Sequence, residues 1–407
     1  MNRRSVLKLA GGSALVLSAG GLFRAWDQGL IGDPDRPGLQ AWGDWDQRRY
    51  TGELALISAG LLAASPHNTQ PWQFAVGRFG VDIFEVPGRT LGAMDPFGRE
   101  RLLGLGAAIH NMALATTAIG RSARVRLLPD AQNPQHAARV ELGPERSGPA
   151  AHPLLPAIGR RHTDRGAYAG GDLTTDQLEA LAATSRSPNV RVALMEARSP
   201  RGKEFAVQTV AATEAIVADT AMMAASHRWF RHSRHDQDRL KDGLAIATSG
   251  VSPGLAAAAA MLPEPSAASE GRYWIDGTRD TALPTASLFG MILVQDPWDR
   301  RSALEAGGVW QRLQLTATAL GLVAQPLNQI VEMIDRERQL GRAPAFARDA
   351  GPLLENADWR PTFAFRIGKL LTQVPPSPRR PVDEVLGPPA RLGFDVAKAA
   401  AETAQLR

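Results

Sequence analysis

The chain has 407 residues, no cysteine and a formal charge of +5. Without thiols there can be no disulfides, cysteine nucleophiles, iron–sulfur clusters or cysteine-ligated zinc. The 44% apolar and 21% charged content is that of a globular protein with a full core, and the arginines are too scattered for a nucleic-acid footprint, so no nucleic-acid partner is expected.

At the N-terminus, Arg3 and Arg4 precede Ser5, two apolar residues and Lys8, and an uncharged run, 9–23, follows. The pattern resembles a twin-arginine export signal. It implies the twin-arginine export machinery as a partner and a periplasmic or otherwise extracytoplasmic location. The run of 15 residues is short for a membrane span, and Ser18–Ala19–Gly20 is a poor cleavage site. Cleavage and retention as a membrane anchor both stay open. Residues 1–30 are read as signal and tether, and the polar stretch that continues to 48 as a lead onto the fold.

Helical periodicity runs over 52–64 and stops at Ser65–Pro66. Residues 72–76 and 81–86 alternate like paired strands around a turn at 77–80. A second helix is predicted over 104–120, then strands at 125–128 and 140–142. A Pro-rich joint at 148–156 separates this first half, 48–150, from a second half, 151–395. There the sequence predicts a helix over 175–184 capped by Thr174, a strand at 190–194 and a long Ala-rich helix over 203–225. An irregular insertion follows at 228–273, then a strand at 288–294 and a helix over 301–320.

The two halves repeat. A shift of 201 positions pairs Gly106 with Gly307, Leu114 with Leu315, Thr117 with Thr318 and Gly120 with Gly321. A duplicated domain accounts for this.

Two motifs carry chemistry. Ser65–Pro66–His67–Asn68–Thr69–Gln70–Pro71–Trp72 is a run of hydrogen-bonding or restrictive residues ending on a large aromatic, as a preorganised ligand wall requires. In Arg160–Arg161–His162–Thr163–Asp164–Arg165, two arginines flank a hydroxyl and can hold a phosphate together with a polar heterocycle edge.

These motifs resemble those of nitroreductase-fold flavoproteins: the first their P-S-x-x-N-x-Q-P-W loop, the second their R-x-S/T-x-R/K-x-F opening. Residues 307–329 resemble their helix–Gly–Leu–x–x–x–Pro segment. The loop here precedes the arginine motif, an order that with the repeat matches the Acg-like branch, in which one chain folds as two fused halves. The resemblance covers about 48–386. It implies an α+β nitroreductase fold as an intramolecular pseudo-dimer, with FMN as cofactor and one complete site per chain. Carried over by position, Arg161, Thr163 and Arg165 would hold phosphate, ribityl and pyrimidine edge. Ser65 and Asn68 would face them from the first half, with Gln70–Trp72 shaping the wall behind, Asn328 would stand at the flavin corner, and Arg379 and Arg380 would meet the phosphate. The loop's copy in the second half has decayed to Ser187–Pro188–Asn189.

The implied function is an FMN-dependent oxidoreductase acting on a small substrate, with no catalytic side chain assigned. A flavin-sequestering or carrier protein is the alternative, because Leu327–Asn328–Gln329 replaces the Glu-Gly common after the proline in enzymatic members. The electron donor is a small molecule or a redox protein; export makes nicotinamides poor reductants in this reading. The insertion at 228–273 is expected to act as a lid, with Trp229 or Phe230 closing over the flavin.

Other signals fail. In Gly250–Val251–Ser252–Pro253–Gly254, a G-x-S-x-G match, the residue after the serine is a proline and cannot donate an oxyanion-hole N–H. Gly104–Leu105–Gly106 lacks the third small residue of a dinucleotide loop. His227, His232 and His235, with Asp236 and Asp238, lack a helical pair facing one way. They are read as a solvated segment rather than a metal site.

Overall fold

The computed structural model describes Ala25, Gln28 and residues 36–387, except 78–79, 146–150, 186, 252, 263 and 355. The twin-arginine leader falls outside the described residues. The first half runs α1 (Gln40–Asp46), α2 (Gly52–Leu61), β1 (Trp72–Gly77), β2 (Gly80–Glu85), α3 (Arg99–Ala115), β3 (Arg121–Leu127) and β4 (His136–Glu145). The second runs α4 (Thr175–Ala182), β5 (Arg191–Glu196), an insertion, β6 (Leu288–Val294), α10 (Arg300–Ala319), β7 (Leu322–Pro326), α11 (Gln329–Gln339) and β8 (Arg360–Lys369). The insertion holds α5 (Pro200–Ala218), α6 (Thr220–His227), α7 (Arg234–Leu240), α8 (Pro253–Ala260) and α9 (Ala267–Gly277).

Each half builds one four-stranded sheet, antiparallel throughout, in the orders β1-β2-β4-β3 and β5-β6-β8-β7. These are the same order once β1, β2, β3 and β4 are matched to β5, β6, β7 and β8. The repeat read from the sequence is therefore a repeat of topology. The insertion occupies the connection that in the first half is the tight β1–β2 hairpin, where Gly77 opposes Gly80.

The cores interlock. Leu304 and Leu315 of α10 pack in the first half's core, and Leu103 of α3 packs in the second's. Each such leucine contributes about 1.5–3 kcal/mol by burial, so neither half keeps its core without the other. β6, Leu-Phe-Gly-Met-Ile-Leu-Val, is buried at every position, as befits a strand covered on both faces.

Three expectations need correction. The helix predicted over 203–225 breaks at Asp219, whose carboxylate caps α6 through the N–H groups of Ala221 and Met222 and pairs with Arg336. The segment predicted as irregular contains α7, α8 and α9. The polar lead before 48 contains α1, whose Ala41 and Trp42 are buried. At seven residues, about two turns, it is too short for periodicity to reveal.

Candidate functional site

The loop between α2 and β1 is held in an unusual backbone state. His67, Asn68 and Gln70 have φ of 44°, 55° and 49°, left-handed values that L-residues adopt at a cost of roughly 1–2 kcal/mol each. The surroundings fix them. The Asn68 amide donates to the carbonyls of Gly243 and Pro378, at 3.1 and 2.8 Å, and its oxygen accepts from Arg379. Gln70 N–H donates to Ser65 Oγ at 3.1 Å, and its side chain donates to Lys241 O and accepts from Arg380 N–H.

The arginine motif runs beside β7, with Thr163 bridged to Ala324. Arg161 is 2% exposed and reaches across the join between halves, donating to Gln314 Oε1 of α10 at 2.8 Å and to Leu62 O at 3.2 Å. Arg165 donates to Thr248 O of the insertion at 3.1 Å. Arg379, 4% exposed, returns from the C-terminal segment to the same place.

Together these elements enclose a cavity of about 20 Å³ lined by Ala64, Ser65, Asn68, Arg161, His162, Thr163, Arg165, Leu244, Ser377 and Arg379. Three guanidiniums meet there with no carboxylate in the wall. Among the described residues none of the three forms an ion pair, and the Nε atoms of Arg161 and Arg379 have no partner. Burial pushes Arg161 and Arg165 down to about 10, the neighbouring arginine adding to the effect at Arg161. Burial, then Arg161, pushes Arg379 down to about 9. All three stay charged at neutral pH, so the pocket is a cationic site, opposed only at Arg165 by Tyr168 and the Asp164 carboxylate from outside the lining. His162, pressed 4.7 Å from the Trp42 ring, is pushed down to about 3 by burial and by Arg161 and Arg379, and is neutral.

Of the nine residues singled out in the sequence, Ser65, Asn68, Arg161, Thr163, Arg165 and Arg379 converge on this one pocket. Gln70 and Arg380 stand behind it: Gln70 is wholly buried, and Arg380 donates to the carbonyls of Gln70 and Trp72. They hold the loop rather than line the cavity. Asn328 is elsewhere, its amide on Glu100 and its oxygen accepting from Ala364 N–H at 3.2 Å, in a buried cluster around Arg99. Sequence reasoning missed Trp42, His162, Leu244 and Ser377. The one available signal was His162, inside the arginine motif itself.

The insertion touches the pocket through residues 241–250 rather than through the aromatics. Trp229 donates to Thr90 O and packs with Leu91 and Met94, and Phe230 stacks near His232. The strap is fixed where Gly250 lies on the arginine motif; a Cβ there would stand 2.2 Å from Gly166 N.

The pseudo-equivalent position is closed. Gly104, against which Ser65 and Pro66 pack, corresponds under the 201-residue shift to Glu305. The Glu305 carboxylate accepts from Ser187 Oγ at 2.9 Å and Asn189 Nδ2 at 3.3 Å. A carboxylate stands beside the decayed loop, where the intact one meets a glycine and arginines.

No protein-family model matches the chain. It is 30% identical over 349 residues to Rv3131 of Mycobacterium tuberculosis, a protein named provisionally as an NAD(P)H nitroreductase, covering 83% of this chain and 91% of that one. It is 27% identical over 339 residues to the Mycobacterium tuberculosis protein acg, similarly named, covering 81% and 93%. Among solved structures, a Desulfitobacterium hafniense nitroreductase with bound FMN aligns at a TM-score of 0.37 and 12% identity, over 58% of this chain and 98% of that one. NfnB of Mycobacterium smegmatis, an FMN-dependent nitroreductase in complex with NADPH, aligns at 0.35 and 13%, over 60% and 97%. This chain belongs to the nitroreductase family, in the branch that includes Acg.

Proposed function

We propose that the chain is an FMN-binding oxidoreductase with one flavin site, formed where the arginine motif of the second half meets the 65–72 loop of the first. The observation that carries this is the meeting of Arg161 and Arg379, both buried, with the half-buried Arg165 in one pocket whose lining holds no carboxylate. A dianionic phosphate on an organic cofactor matches that charge. Ser65 and Thr163 supply hydroxyls alongside it, and the orphaned Nε atoms of Arg161 and Arg379 are donors left for an acceptor.

When bound, the flavin would supply the electron chemistry, and the protein would supply binding, orientation and electrostatics. Arg161 and Arg379 would anchor the phosphate and Arg165 the more exposed side of the cofactor. Neutral His162 and Trp42 would keep water from the anion. No side chain lining the pocket is an acid or base poised near neutral pH, so none is assigned a proton.

A second reading, flavin sequestration, is favoured by the strap at 241–250. Leu244 of that strap stands in the wall of the cavity. A cofactor enclosed that way would exchange and react slowly.

The experiment is reduction of the reconstituted holoprotein. Rapid bleaching of the flavin spectrum by NAD(P)H, followed by reoxidation with a nitroaromatic, supports the enzyme and matches the relatives' names. Bleaching by a chemical reductant alone supports export-side chemistry with another donor. Resistance to both supports sequestration, and failure to take up FMN at all overturns the proposal. An extracytoplasmic location, from the twin-arginine motif, is part of the same proposal and is tested by fractionating cells that express Arg3→Lys/Arg4→Lys.

A further inference from the structure

We propose that the insertion carries a divalent transition-metal site, of the zinc type, made by His227, His232 and Glu270. His227 ends α6, His232 follows the two-residue strand Phe230–Arg231, and Glu270 lies on α9. Their ligand atoms all lie within 4.8 Å of one another. His227 Nδ1 stands 2.7 Å from Glu270 Oε2, and His232 Nε2 stands 3.7 Å from Glu270 Oε1. Two imidazoles and a carboxylate at this spacing need only small side-chain adjustments to accept bonds of about 2.0–2.2 Å from one ion, with a fourth position for water.

A second observation points to a ligand. Glu270 is 9% exposed, and its Oε1 has no hydrogen-bond partner. A buried carboxylate oxygen left empty beside an imidazole nitrogen is costly unless a cation fills the gap. The nearby arginines do not fill it. Arg228 donates to Thr90 O, Arg231 is held by Asp242, and Arg272 donates to Ser269.

The placement gives the ion a task. Residues 227 and 232 open the segment that straps the cationic pocket, and 270 closes it. A metal there would staple the two ends and reduce the freedom of everything between them. Ser226, beside the first ligand, accepts or donates a 2.9 Å bond with His67 of the pocket loop, so the staple also abuts the pocket wall. The histidine-rich segment read from the sequence as solvated thus splits. His235 stays out on α7, and Asp236 and Asp238 pair with Arg239 and Arg36.

The test uses the tag-free full chain, stripped with a chelator and titrated with zinc chloride, with retained metal measured by elemental analysis after gel filtration. One zinc per chain is expected. His232→Gln and Glu270→Gln should each weaken binding by about 100-fold or more, whereas His235→Gln should leave it unchanged. His232 is partly exposed, so its variant should fold; far-UV circular dichroism checks this, and the wild-type titration stands without it. Limited proteolysis gives a second readout: zinc should slow cleavage within 228–270 in the wild type and not in His232→Gln. No zinc retained by the wild type overturns the proposal. So does zinc retained undiminished in both His232→Gln and Glu270→Gln.

Discussion

Gly106 and Gly307 meet where α3 crosses α10, and the contact is reciprocal. A Cβ on Gly106 would stand 2.0 Å from the carbonyl oxygen of Leu304, and one on Gly307 would stand 2.0 Å from that of Leu103. Because Leu103 and Gly106 become Leu304 and Gly307 under the 201-residue shift, this is an isologous contact folded into one chain. Two backbones touch with no side chain between them, and that closeness positions Arg161 to span Leu62 and Gln314.

Gly106→Ala should therefore destabilise the protein by about 3 kcal/mol or more, since the obstacle is backbone that cannot rotate away. Gly308→Ala, next to Gly307 on α10, would place its Cβ 3.8 Å from Gly106 O, an ordinary contact, and should be neutral or stabilising by up to about 1 kcal/mol. Urea unfolding of the two variants checks the contrast.

Gly250→Val should loosen the strap while removing none of the pocket's cationic side chains. Its side chain would collide with Gly166 N and with the backbone of Arg165. FMN exchange and sulfite bleaching should both quicken, by roughly tenfold for about 1.4 kcal/mol of lost closure. Unchanged rates in a folded variant would show that the strap does not gate the pocket.

Asn328→Ala should leave FMN retention unaltered while lowering stability by about 1–3 kcal/mol, because Glu100 and Ala364 N–H lose their partner in a buried site. Flavin content and thermal unfolding, measured on one preparation, separate the two roles.

His110 gives a pH dependence of defined sign. Burial pushes it down to about 3, helped by Arg312 and His152. The unfolded chain takes up this proton below about 6.5 and the folded chain does not. The neutral histidine is therefore compatible with full stability above 6.5, and stability is lost as pH falls toward 3. Against His110→Leu, the wild type should lose on the order of a few kcal/mol between pH 6.5 and 4. Parallel stability curves for the two proteins would contradict this.

Local signals in the sequence carried much of the fold. β1 and β2 declare themselves by alternation, β6 by an unbroken apolar run and α10 by an apolar stripe, and Thr174 caps α4 as expected, with Gln177 adding a reciprocal bond. The repeat showed as paired glycines, Gly106 and Gly307 because close helix approach tolerates nothing larger, Gly120 and Gly321 because each takes a positive φ after a helix. The pocket was legible where its residues are contiguous, at 65–68 and 161–165. It was not legible where distant chain arrives: Ser377 from the C-terminal segment, Leu244 from an insertion whose Ala-rich composition fixes no period, and, behind His162, Trp42 from a helix of seven residues. Gln70, Arg380 and Asn328 were placed by the family resemblance, Gln70 in the wall behind the loop. The structure turns each toward a backbone group or Glu100, since a buried polar side chain must find some partner and the nearest one won.

The central claim is one anionic-cofactor site per chain, held by arginines from the join between halves. Titrating apoprotein with FMN, by calorimetry, tests it most directly. One FMN per chain is expected in the wild type, with affinity about 10- to 100-fold weaker in Arg161→Ala, as the loss of a shielded arginine–phosphate contact implies. Two FMN per chain, none, or an Arg161→Ala isotherm that overlays the wild type would contradict it.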